Sequence, residues 1–253
     1  MKLKLLSFVM LILTCTLNAQ QQVDLREFGI LTARDATVVV AEALKKVNNK
    51  NAVLVFPKGV YNFYPDDAAG KYHAVTNHDN SYKRFAFPLI ESKNIVIDGQ
   101  GSEFIFHGII TPFLVEKASD IKIKNITIDW QQPFYLQATV LESNQQNNTI
   151  KVKVNPATPA TLVGTNLMFS TNGIDYPNFG ENMVFDPQTG AVAYLAQNML
   201  FNTKSAPMSA TQTGKDEYLI KGRFNRHPAS PGMIYVFKGD RKSTRLNSSH
   251  ESP

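Results

Sequence analysis

The chain has 253 residues, with 26 Lys+Arg against 21 Asp+Glu, 43% hydrophobic residues and a single cysteine. That length allows one large domain or two small ones, and the lone Cys15 excludes a disulfide-stapled fold. Part of the basic excess sits at the two ends (Lys2, Lys4, Arg241, Lys242, Arg245), so the body carries a net charge of only about +2 and gives no electrostatic case for nucleic acid.

Residues 1–19 join Lys2 and Lys4 to an apolar run over 5–13 and close on Leu17-Asn18-Ala19 before Gln20. This is the pattern of a secretory signal peptide, too short to span a membrane, and Thr14 before Cys15 suits a lipoprotein site poorly. An exported chain without disulfides fits the periplasm or cell surface of a Gram-negative bacterium, or secretion from one. At the other end, residues 240–253 are polar and patternless and match the translation of a common sequencing adapter; the alternative is a disordered basic tail. The natural protein is then expected to continue beyond Gly239.

After the leader, residues 23–29 alternate and read as a strand ending at Gly29. Asp35 or Thr37 can cap a helix running to about Asn48, with Val40, Leu44 and Val47 on one face. Residues 52–63 read as two short strands separated by Pro57-Lys58-Gly59. Residues 64–85 read as a polar, aromatic loop of about twenty residues, a length that in a compact domain usually carries function.

From Phe87 to Trp130 one pattern occurs twice. Glu91-Ser92-Lys93-Asn94-Ile95-Val96-Ile97 is echoed by Lys117-Ala118-Ser119-Asp120-Ile121-Lys122-Ile123 at an offset of 26, and residues 88–91 by residues 113–116 at an offset of 25. Period-two runs broken by Asn, Gly or Asp are short strands joined by tight bends. Repetition at this spacing predicts stacked coils of a parallel β-helix, each sheltering the next one's isoleucines, with the amphipathic helix capping the open end. Ile121 and Ile123 should then point inward and Lys122 and Lys124 outward. Two look-alike hairpins of a sandwich are the alternative.

Beyond Trp130 the texture changes. Residues 137–143 and 149–154 read as a hairpin, with further strands at 166–170, 183–185, 191–195, 217–221 and 233–237 between Pro and Gly turns. This predicts a separate β-barrel-like or sandwich module, bounded near residues 131–135. The domains are therefore drawn as leader 1–19, coils 20–132, module 133–239 and artefact 240–253.

No nucleophile elbow, P-loop, dinucleotide fingerprint or Cys/His metal spacing occurs, so neither metal nor cofactor is expected. Carboxylates, amides and aromatics dominate instead, the lining of a carbohydrate site. Asn77, His78 and Asp79 in the long loop read as hydroxyl partners or as an Asx-rich turn. Trp130, the only tryptophan, reads as a sugar-stacking platform or as the seal between the two modules, and His107 beside Gly108 as a structural histidine.

The ordered motifs Asn77-His78-Asp79, Asp98-Gly99-Gln100-Gly101-Ser102, Phe104-Ile105-Phe106-His107-Gly108, Thr111-Pro112-Phe113 and Lys124-Asn125-Ile126-Thr127-Ile128-Asp129 resemble the α-1,3-galactosidases of glycoside hydrolase family 110. The Pro57-Lys58-Gly59-Val60-Tyr61 turn resembles the first coil of pectate-lyase-like enzymes more widely. The family resemblance implies an all-β fold, a right-handed parallel β-helix bearing a barrel-like insertion. It also implies inverting removal of terminal α-1,3-linked galactose from carbohydrate partners, without metal. The family's two carboxylates lie on later coils, so no catalytic residue is carried onto this chain and they are expected downstream of Gly239. Another β-helix enzyme (a lyase or a polygalacturonase) and a non-catalytic glycan-binding β-helix are the rival readings. The oligomeric state is not legible.

Overall fold

The computed structural model describes residues 20–29, 35–74, 80–176, 182–197, 200–201, 207–224 and 229–238. The leader, Asn77-His78-Asp79 and residues 240–253 lie outside them. The described chain is predominantly β-strand with one α-helix, the all-β class that the periodicity predicts.

Strand β1 (Gln21–Asp24) stops short of Gly29, because the Asp24 carboxylate accepts the backbone N–H of Arg26 at 2.9 Å and turns the chain into a 3-10 helix over Leu25–Phe28. Helix α1 (Ala36–Lys46) starts where its cap predicts, Asp35 Oδ1 accepting the Thr37 N–H at 2.8 Å. It buries Val40, Ala43 and Leu44, and Val47 follows just past its end. Strands β2 (Lys50–Val55) and β3 (Val60–Phe63) flank the Pro57-Lys58-Gly59 bend as expected.

The stretch expected to be a loop is largely a hairpin. β4 (Ala69–His73) runs antiparallel to the first half of β5 (Ser81–Ile90), with Tyr72 opposite Tyr82. Three further elements complete the module: β6 (Lys93–Phe106), β7 (Thr111–Glu116) and β8 (Ser119–Trp130).

The registers are parallel. Val23, Leu54, Ile97 and Ile123 form one column through β1, β2, β6 and β8. Past a bend, Tyr61, Phe104 and Ile128 form a second through β3, β6 and β8. On a third side Phe87 of β5 lies beside Phe113 of β7, which corrects the expected offset of 25 there to 26. β5 thus carries a parallel neighbour on one edge and antiparallel β4 on the other, so this sheet is mixed.

The bends explain why Asn, Asp and charged residues punctuate the repeat. Asn51, Asn94 and Asp120 occupy successive levels at φ of 50°, 55° and 56°, a left-handed conformation that their short side chains tolerate. Asn94 Nδ2 donates to Asn51 Oδ1 at 3.1 Å, and Gln20 Nε2 donates to Asn94 Oδ1 at 2.7 Å. At the second bend β8 turns on Asn125 alone, two residues shorter than β6 between the paired positions 98 and 102. A Cβ on Gly99 would lie 2.1 Å from Ile126 Cγ2 and 2.6 Å from Asn125 O, so only glycine allows that approach.

The first core is aromatic at its centre. Phe56, Phe63, Phe87, Phe104 and Phe106 are fully buried, and Phe104 lies 4.6 Å from Phe56 and 5.1 Å from Phe63 between ring centroids. The inward ladder holds for Ile95 and Ile97, but among the described residues β8 has only β6 as a neighbour. Ile123 and Ile128 are therefore 37% and 43% exposed, a departure from the sheltered position expected for Ile123.

The second module begins with β9 (Tyr135–Asn144) and β10 (Thr149–Val154), the expected hairpin. It continues through β11 (Ala160–Val163), β12 (Asn166–Thr171), β13 (Ile174–Tyr176), β14 (Asn182–Phe185), β15 (Val192–Gln197), β16 (Leu200–Phe201), β17 (Ser209–Gly214), β18 (Glu217–Lys221), β19 (Arg223–Phe224) and β20 (Ile234–Lys238). Seven of these form one antiparallel sheet in the order β15-β14-β20-β9-β10-β18-β17, open at both ends among the described residues. A separate core of Val140, Ile150, Val152, Tyr235, Phe237 and their neighbours lies against it. The first and last described strands of this part of the chain are adjacent, Tyr135 of β9 lying opposite Lys238 of β20.

Candidate functional site

Asn77, His78 and Asp79 lie outside the described residues; the strands on either side of them, β4 and β5, are described. Tyr82 lies over Gly70, where a Cβ would come within 2.0 Å of the phenol oxygen. Tyr72 meets Tyr82 edge-on at 5.4 Å, and the Arg84 guanidinium sits 5.2 Å from the Tyr82 ring. On the facing strand Glu116 accepts from Lys71 Nζ at 2.6 Å, with His73 Nδ1 at 4.0 Å. The Lys71 hydrogen bond holds the Glu116 carboxyl below its ordinary range.

Trp130 is half-buried at the end of β8, 5.5 Å from Phe106 and 5.9 Å from Phe134. It packs against the first core, and its indole Nε1 is buried without a hydrogen-bond partner. Trp130 therefore packs between Phe106 and Phe134 at the edge of the first core. Burial depresses the pKa of His107, and its Nε2 lies 2.8 Å from Asn62 Oδ1. Tyr64 stacks on it at 4.1 Å with ring planes 16° apart.

A contact between the modules has no counterpart in the sequence reading. Asn172, in the β12–β13 turn, accepts the Gly108 N–H on Oδ1 at 3.2 Å and donates from Nδ2 to Gln132 O at 2.9 Å. Its own N–H donates to Gln132 Oε1 at 2.9 Å, and Thr171 Oγ1 donates to Pro133 O. Asn172-Gly173 was visible as a turn signal, but nothing in the sequence gives its partner 64 residues away.

Acid catalysis at a glycosidic bond needs a carboxyl kept protonated near neutral pH. The displaced carboxyls among the described residues, Asp24, Asp98 and Glu116, are all displaced downward. Asp98 is 7% exposed. Its burial works to raise the pKa, but hydrogen bonds from Asn125 Nδ2 at 2.9 Å, Lys124 and the Gln100 N–H outweigh it. Asp98 thus ties the β6 bend to the β8 bend as a carboxylate. Because its folded-state pKa lies below the unfolded one, its stabilising effect is complete above the ordinary carboxylate range and is lost as pH falls through the depressed value. Thermal midpoints measured from about pH 5 to about pH 2 should fall less steeply for Asp98→Asn than for the parent, and parallel curves would refute this role. No three His, Cys, Asp or Glu side chains converge among the described residues.

The family profile described as GLAA-B β-barrel domain I matches residues 136–235. The chain is similar to α-1,3-galactosidase A of Shewanella woodyi, 30% identical over 186 residues that cover 72% of this chain and 31% of that protein. It is similar to α-1,3-galactosidase B of Parabacteroides distasonis, 34% identical over 147 residues, 55% of this chain and 24% of that protein. With α-1,3-galactosidase B of Akkermansia muciniphila it shares 24% identity over 245 residues, 91% of this chain and 30% of that protein. The matched stretches span less than a third of the length of these bacterial relatives.

Proposed function

We propose, from the premise that this chain belongs with the α-1,3-galactosidases A and B, that the whole protein is an exo-acting glycoside hydrolase removing terminal α-1,3-linked galactose from glycans. The observation that carries this reading is the 30% identity to such an enzyme along 72% of the chain. The columns of β1, β2, β6 and β8 support coils of a right-handed parallel β-helix. The adjacency of Tyr135 and Lys238 supports a module inserted between two coils. In an inverting mechanism two carboxyls face each other across the scissile bond, about 6.5–9.5 Å apart, with a water between them. They are assigned to coils after Gly239, so this chain alone is inactive. Asn77, His78 and Asp79 are proposed to hydrogen-bond sugar hydroxyls, with Trp130 nearer to a packing role. The leader directs export to the periplasm or cell surface, and no described helix is long and apolar enough to cross a membrane.

The test is incubation of the full-length gene product with an α-1,3-galactosyl oligosaccharide. Free galactose, formed with inverted anomeric configuration and unaffected by chelator, is the expected result; no release overturns the reading. Chelator-sensitive formation of unsaturated products would mean a lyase instead.

A further inference from the structure

We propose that Tyr64 and the polar groups around it form a subsite that stacks one neutral pyranose ring of the bound glycan, a proposal that rests on the glycosidase reading above. Tyr64 is 37% exposed yet firmly held. Its backbone is fixed twice by the hydroxyl of Thr37, which accepts from the Tyr64 N–H at 3.1 Å and donates to the Tyr64 carbonyl at 3.3 Å. Thr37 is itself buried. The Tyr64 ring lies flat on His107, and His107 is immobilised through Asn62 and through its N–H to Phe63 O at 2.9 Å. One face of the phenol is therefore covered and its orientation set before any ligand arrives, so binding costs little side-chain entropy.

A pyranose ring offers an apolar C–H face to such an aromatic and hydroxyls around its rim. The rim partners are close in the chain. The tight turn after Tyr64, closed by Ala68 N–H to Pro65 O at 3.1 Å, leaves the Asp66 and Asp67 carboxylates exposed. On the next coil Gly108 approaches Pro65: a Cβ there would lie 3.3 Å from Pro65 Cγ. The Gly108 N–H holds the side chain of Asn172 from the second module. The one-sided aromatic ring and two exposed carboxylates thus lie within three residues of one another, beside the contact of Gly108 with Asn172. The charges also select the ligand, because Asp66, Asp67 and nearby Asp35 repel a uronate and leave a neutral hexose.

The experiment uses the full-length protein and an α-1,3-galactosyl oligosaccharide. Tyr64→Ala should raise KM about tenfold, ~1.4 kcal/mol of binding, with kcat within about twofold and an unchanged thermal midpoint. Tyr64→Phe should restore the parent KM, since the ring and not the hydroxyl does the stacking. An unchanged KM in Tyr64→Ala overturns the subsite, as does a loss that tracks the thermal midpoint or that Tyr64→Phe fails to restore. Should the parent release no galactose, the glycosidase reading falls by itself, and calorimetric titration of the same variants with the oligosaccharide then decides the subsite. Weaker binding to Tyr64→Ala than to the parent upholds it, and equal affinity overturns it.

Discussion

Ile97→Asp is expected to destabilise the first module severely. Ile97 is fully buried between Leu54 and Ile123 in the parallel column, so a carboxylate there would sit among aliphatic side chains. Burying an unpaired charge drives it to neutralise, and the neutral acid is still unsatisfied, so the cost is on the order of 4–5 kcal/mol. That is a large share of the roughly 5–15 kcal/mol that holds a domain together. Lys122→Asp, one residue from Ile123 on the exposed side of β8, should shift stability by less than about 0.5 kcal/mol. Urea unfolding followed by the fluorescence of Trp130, the only tryptophan, reads both variants. Equal tolerance of the two changes would refute the column.

Phe104→Ala should cost about 3–5 kcal/mol and act on one module only. The ring is fully buried and stands among Phe56, Phe63 and Phe87, lying parallel to Phe87 within 6° at 5.8 Å. Its removal leaves a cavity that four strands and two bends, each fixed by its own hydrogen bonds, cannot close. The second core shares none of these side chains. Amide exchange in Thr149–Val154 should therefore stay at the parent level while the Trp130 transition moves to lower urea. Exchange that accelerates equally in both places would show one cooperative unit instead of two.

Where pattern and environment coincide, the fold was legible. The helix cap at Asp35, the Pro57-Lys58-Gly59 bend and the offset of 26 between Ile95 and Ile121 follow from period and turn chemistry alone. The offset of 25 just upstream followed a likeness of side chains, Leu89 to Leu114 and Glu91 to Glu116. Backbone pairing is set elsewhere, by the left-handed bends at Glu91 and Lys117, and it joins Leu89 to Val115. The β4–β5 hairpin went unread because it stands outside the stack, so its faces do not alternate between water and core. Its stability comes from Tyr82 over Gly70 and from the Lys71–Glu116 pair.

The candidate site was less legible than the fold. Tyr64 appears in sequence as one aromatic in a polar run, and His107 as one histidine beside a glycine. Only the pairing of β3 with β6 brings them together. The amide of Asn172 is assigned by the docking of two modules, and no local rule encodes it.

Because Tyr135 of β9 and Lys238 of β20 face each other across one pair of strands, the first and last described strands around the second core lie side by side, about 5 Å apart. A unit whose ends meet in this way can gain or lose length between them without its two ends moving apart, and the hydrogen bonds of Asn172 to Gly108 and Gln132 tie it to the first core.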